Sequence, residues 1–144
     1  MSHQFARIRL SKTDYAESVT WRYLHNPDTA VLNKIYRDYC RHKKFSSVMP
    51  IFDSQYNDAS ADLIGYYDHS DLVAFSIIKL YDQHNALCYQ FAWNYHKPKQ
   101  RLGIATLQTE CAIYKARKFE YLYLDQAHLY KHDLAGFEIL GPME

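Results

Sequence analysis

The sequence predicts an α+β fold, a mixed sheet with helices packed on it, and three observations carry that expectation. The hydrophobic period changes from two to 3.6 near residue 100, three strand-like runs follow one another between short polar turns, and a helix-spaced apolar stripe precedes them. A chain of 144 residues with 48% hydrophobic and 23% charged residues suits one ordinary core, so a single domain over 1–144 is expected.

The N-terminal third reads as helical. Residues 14–24 open on Ser11, Thr13 and Asp14 and continue with Tyr15, Val19, Trp21 and Tyr23, which predicts a first helix. A second follows, capped by Asn26 or Asp28, with Val31, Leu32, Ile35, Tyr36 and Tyr39 at three-to-four spacing and an end near Lys43. Beyond Pro50 the pattern turns to strands at 63–67, 72–81 and 86–95. The polar groups Asp68 to Asp71 and Asp82 to Asn85 make the turns, so the three strands form an antiparallel meander.

From residue 104 to 119 the apolar positions Ile104, Leu107, Cys111, Ile113, Tyr114 and Ala116 describe an amphipathic helix, with Glu110, Lys115 and Lys118 between them. A short strand at 120–124 returns from it. Strand, loop, helix and strand make a crossover, which joins parallel neighbours and lays the helix on the sheet. Residues 136–140 supply a final strand.

Composition narrows function by exclusion. A formal charge of +1 gives no global field for nucleic acid, although Arg41 to Lys44, the group Lys97, Lys99 and Arg101, and the group Lys115, Arg117 and Lys118 are locally basic and would matter if they converged. Cys40, Cys88 and Cys111 are widely spaced without a C-x-x-C pair and read as reduced, mostly buried thiols. The eight histidines form no ligand spacing, so no metal is expected. No run approaches the roughly 18 apolar residues of a spanning helix, and the first residues lack the layout of a signal peptide, so a cytoplasmic location is expected.

The chemistry-bearing segment is Gln100, Arg101, Leu102, Gly103, Ile104 and Ala105, at the junction of strand and helix. A loop that wraps a pyrophosphate must press backbone N–H groups against the anion, which a glycine permits, and the following helix points its positive end at the same place. A lone glycine before a helix is also an ordinary turn. The string resembles the (Q/R)-x-x-G-x-(G/A) acyl-CoA-binding loop of the GNAT acyltransferase superfamily. Tyr130 and Lys131, followed by Leu134, Ala135, Gly136 and Phe137, resemble the Y-x-x-x-G-F ending of many members, with two further residues intervening.

A narrower resemblance is to the catalytic half of arginyl- and leucyl-tRNA–protein transferases. It rests on Ile35, Tyr36, Tyr39, Arg41 and His42, on 62–82 and 91–110, on Tyr121 to Leu124, and on Tyr130 with Lys131, about two thirds of the chain. That family's N-terminal cysteine cluster has no counterpart here, and fewer residues separate the YLYL strand from Tyr130.

The resemblance implies a GNAT-like central mixed sheet and transfer of an acyl group from acyl-CoA, or of an aminoacyl group from aminoacyl-tRNA, to an amine on a small molecule or peptide. It makes tRNA a partner in the second case. It assigns Tyr130 as general acid toward the leaving group and puts the backbone of Phe91 to Trp93 beside the acyl carbonyl. His96, Asp125 and His128 are candidates for relaying the amine proton, directly or through water, each equally readable as a surface or capping residue. Phe91 and Trp93 would line a flat acyl or adenine site or, like the strand tyrosines, simply pack. Cys111 reads as core. A binding or assembly module that keeps the fold without the chemistry is the alternative.

Overall fold

The structure, a computed structural model, describes residues 4–42, 51, 53–94, 102–124 and 135–142. Its first element corrects the helical reading of the N-terminal region. Gln4–Arg9 is a strand, β1, in which Ala6 and Ile8 are fully buried while Arg7 and Arg9 turn to the other face and hold Glu138. That alternation has period two, which no helix can bury. Leu10–Lys12 is a single 3-10 turn, and the helix expected over 14–24 is instead an irregular segment followed by strand β2, Thr20–Tyr23. Tertiary pairing overrides a mediocre helical pattern there, since Trp21 and Tyr23 register with Tyr66 and Ile64 of the next strand.

Helix α1, Thr29–His42, starts where expected. Asp28 Oδ1 accepts from the Ala30 amide at 3.1 Å, satisfying one of the donors a helix start leaves without a partner. After the one-turn α2, Asp53–Tyr56, come β3, Ala61–Asp68, β4, Asp71–Leu80, and β5, Asn85–Trp93, the antiparallel meander of the sequence reading. Asp82 Oδ1 ties the second turn by accepting from the amides of His84 and Asn85. Helix α3, Leu102–Ala116, then crosses to β6, Tyr121–Leu124, which lies parallel to β5, and the last strand is β7, Phe137–Pro142.

Among the described residues, seven strands form one mixed sheet ordered β2-β3-β4-β5-β6-β1-β7. The N-terminal strand therefore sits between β6 and β7, antiparallel to both. Each face has its own core. Leu32, Ile35, Tyr36 and Cys40 of α1 pack with Ile51 and Tyr56 on Leu63, Phe75, Ile77 and Ala92, while Leu107, Cys111 and Tyr114 of α3 pack on Ile8, Ile64, Tyr66, Ile78 and Leu122. Strand β4 is covered on both sides, which is why residues 73–78 are all buried and its sequence hardly alternates.

Candidate functional site

The parallel pair β5 and β6 is in register from Asn85↔Tyr121 to Cys88↔Leu124, the last described residue of β6, and β5 continues to Trp93 along β4. Strand β5 carries a bulge next to this register. Ile77 pairs with Gln90 and the adjacent Ile78 pairs with Cys88, so Tyr89 is an extra residue on β5. An extra residue bends the bulged strand and increases its twist. Among the described residues, the edge of β5 from Tyr89 to Trp93 that faces away from β4 has no strand beside it.

Helix α3 begins at the same end of the sheet because it runs antiparallel to β5. It starts at Leu102, so Leu102 and Gly103 belong to its first turn rather than to the loop before it. Its first four amides have no partners within the helix and carry the positive end of its dipole. The segment leading into β2 braces this turn: the Ser18 amide donates to Thr109 Oγ1 at 3.1 Å, and the hydroxyls of Ser18 and Thr109 donate to the Ala105 carbonyl. Ile104 and Ala105 are half-buried.

On the other side stands an aromatic wall that joins two distant sequence motifs. Tyr39 of α1 meets Phe91 at 6.1 Å and Trp93 at 6.2 Å between ring centroids, and His42 meets Trp93 at 5.9 Å. Of the α1 residues of the narrower family resemblance, Tyr39 and His42 thus meet the two β5 aromatics, both half-buried, while Ile35 and Tyr36 lie in the core under α1.

Beside β5 lies a carboxylate that the sequence reading placed among the polar positions of α3. Glu110 is 4% exposed. Its Oε1 accepts from Tyr66 at 2.8 Å and from Ser76 at 2.5 Å, and its Oε2 accepts from the Cys88 thiol at 3.4 Å. Burial first, then the charge of Glu110, holds the Tyr66 phenol well above its ordinary value, so it stays a donor. The missed signal was position, since Glu110 lies in the stripe of Leu107, Cys111 and Tyr114 at helical spacing.

Tyr130, His96, Asp125, Gln100 and Arg101 lie outside the described residues, as do His128, Lys97 and Lys99. Of the sequence-derived set, the structure brings Phe91, Trp93, Leu102, Gly103, Ile104 and Ala105 to one end of the sheet. Of the described basic residues, Arg41 and His42 end α1 with His42 beside Trp93, while Lys115, Arg117 and Lys118 lie at or just beyond the C-terminal end of α3. Arg117 is committed there to Asp62 at 2.6 Å and to the Tyr23 hydroxyl at 3.1 Å. Among the described residues no group of three His, Cys, Asp or Glu gathers as a metal site would.

Comparison with known proteins places this architecture. No family model matches the chain and no curated protein matches it. Solved structures do. L-PGS from Bacillus licheniformis superposes with a TM-score of 0.66 at 13% identity over 88% of this chain and 47% of that one. A GCN5-related N-acetyltransferase from Kribbella flavida gives 0.56 at 13% over 100% and 59%. An aminoglycoside acetyltransferase from an uncultured soil metagenomic sample gives 0.57 at 13% over 80% and 81%. The chain spans about half the length of the first two. It has the GNAT fold, and at these identities the likeness is one of fold. The narrower resemblance to arginyl- and leucyl-tRNA–protein transferases rests on sequence motifs alone.

Proposed function

We propose that this chain is an acyltransferase that carries an acyl or aminoacyl group from an activated ester to an amine by direct attack at the C-terminal end of β5. The observation that supports the reading is the bulge at Tyr89, which bends β5 at the end of the sheet where α3 begins. An acyl carbonyl laid along residues Phe91 to Trp93 accepts a hydrogen bond from the strand, which stabilises the oxyanion that develops as the amine adds. The phosphate of the donor takes the helix start. In the transfer, the uncharged amine forms the new C–N bond, the C–S bond of a thioester or the C–O bond of an aminoacyl ester breaks, and the proton lost from nitrogen balances the one gained by the leaving group.

In this proposal Tyr130 delivers the proton to the leaving group and His96 or Asp125 takes one from the amine, roles supported by the sequence resemblance. Tyr39, His42, Phe91 and Trp93 form the wall of the site, suited to a flat adenine or an aminoacyl side chain. The donor is acyl-CoA or aminoacyl-tRNA, the acceptor an amine on a small molecule or peptide. Two solved neighbours bear names of acetyltransferases, which favours the thioester, whereas the motif of Tyr39, Arg41 and His42 favours the charged tRNA.

Thermal stability titrated separately with acetyl-CoA and with charged tRNA at two salt concentrations, together with product detection, tests this. A rise with acetyl-CoA selects the thioester. A salt-sensitive rise with charged tRNA alone selects the aminoacyl ester. Binding of either without turnover would leave a fold that keeps the site without the chemistry, and no response to either would refute the proposal.

A further inference from the structure

At the other end of the sheet, Arg9, Ser11, Lys115, Lys118, Glu120 and Tyr121 line, together with Phe119, a cleft of about 460 Å³. Three of these are cations and one is a carboxylate. Arg9 gives Nε to Glu138 Oε2 at 3.0 Å, but Glu138 is shared with Arg7, so the neighbourhood keeps an excess of positive charge. Helix C-termini favour lysine in any case, and Lys115 follows that rule while also donating to the Thr13 carbonyl.

Lys118 does not follow it so simply. It is the second residue past α3, with φ of 67°, and the turn is closed by the Lys118 amide on the Lys115 carbonyl and the Phe119 amide on the Tyr114 carbonyl, both at 2.9 Å. This is the helix-ending turn whose left-handed residue is ordinarily glycine, because a Cβ there is strained. Among the described residues, the Lys118 ammonium makes no hydrogen bond or ion pair. The left-handed position is filled by lysine, and that lysine lines the same cleft as Arg9 and Ser11.

We propose that this cleft binds a phosphate group, held by Lys118, the terminal nitrogens of Arg9 and the Ser11 hydroxyl. Arg supplies the planar fork that matches phosphate and Lys the point charge. The phosphate is either a free phosphoester or one unit of an RNA backbone. This site is separate from the one at the C-terminal end of β5 and does not depend on the acyl-transfer reading.

The test is Lys118→Gly in the full chain, read by amide NMR shifts of Ser11, Lys118 (wild type) and Tyr121 on titration with inorganic phosphate, with a nucleoside monophosphate, and with a short single-stranded RNA at low salt. Wild type should show shifts confined to this cleft, and Lys118→Gly should weaken binding about fivefold or more while raising the melting temperature by relieving the left-handed strain. RNA binding tighter than the monophosphate per phosphate, with a salt dependence lowered by about 0.7 in log–log slope in the variant, identifies the backbone; equal binding identifies the free phosphoester. Absence of localised shifts in wild type, unchanged affinity in Lys118→Gly, or loss of stability in step with binding would each overturn the proposal.

Discussion

The buried cluster around Glu110 makes a graded prediction. Tyr66 is fully buried, and its hydroxyl lies 2.8 Å from Glu110 Oε1 and 3.1 Å from Ser76 Oγ. Tyr66→Phe removes a bond to a charged acceptor, which is worth about 1.5–3 kcal/mol, but leaves that oxygen its Ser76 donor at 2.5 Å. A loss of about 2 kcal/mol follows. Glu110→Ala removes the shared acceptor and opens a cavity in the α3-side core; Tyr66 and Ser76 can still bond each other, so the cost is that of a large-to-small core change plus one orphaned donor, about 3–5 kcal/mol. Glu110→Gln keeps a carbonyl oxygen for both hydroxyls and turns an amide nitrogen toward Cys88, at a cost of about 1 kcal/mol. The order Ala, then Phe, then Gln is the content of the prediction. Equilibrium urea unfolding followed by far-UV circular dichroism measures it, and against a domain stability of roughly 5–15 kcal/mol the steps are well separated. Because Tyr66 and Ser76 share one oxygen, Tyr66→Phe with Ser76→Ala should depart from additivity by about 0.5–3 kcal/mol. A Gln variant as unstable as the Ala variant, or strict additivity of the pair, would refute the shared-acceptor account.

Three further expectations follow from the same structure. Gly136 has φ of 74° and a Cβ there would lie 2.4 Å from the Arg9 carbonyl oxygen, so Gly136→Ala should cost about 3 kcal/mol and shift the urea midpoint; a neutral variant would show that the turn onto β1 is soft. The hydrogen bonds of Arg7 and then Arg9 hold the Glu138 carboxyl below its ordinary value, so its stabilisation is present above that value and is lost as pH falls through the lowered one. Carboxyl-carbon NMR should show Glu138 titrating low and returning to the ordinary range in Arg7→Gln, and an unperturbed titration in wild type contradicts the pairing. Burial first, then Glu110, pushes the Cys111 thiol up to about 12, and burial also raises Cys40, so a thiol reagent near neutral pH should label the half-exposed Cys88 alone until the protein unfolds; mass spectrometry finding Cys111 labelled early would count against the packed α3 face.

The meander, the crossover and helix α1 were legible in the sequence because each satisfies its own local rule. Turn residues punctuate the strands, the period changes with the element, and Asp28 caps the helix it precedes. The aromatic end of β5 was legible for the same reason, whereas Gly103, read in the sequence as part of a loop, lies in the first turn of α3.

What tertiary structure decided is where local and global preferences differ. Residues 20–23 look weakly helical but pair with β3, and the N-terminal strand fills a gap between β6 and β7, two segments separated from it by more than a hundred residues. The bulge in β5 is a single extra residue, visible only once the register of its neighbour is known. Glu110 is buried because two hydroxyls and a thiol from three different strands reach it, partners no spacing rule could assemble. Periodicity reports which face of an element is apolar; which polar groups meet across the interface, and how far apart two basic runs finally lie, is fixed by packing in three dimensions.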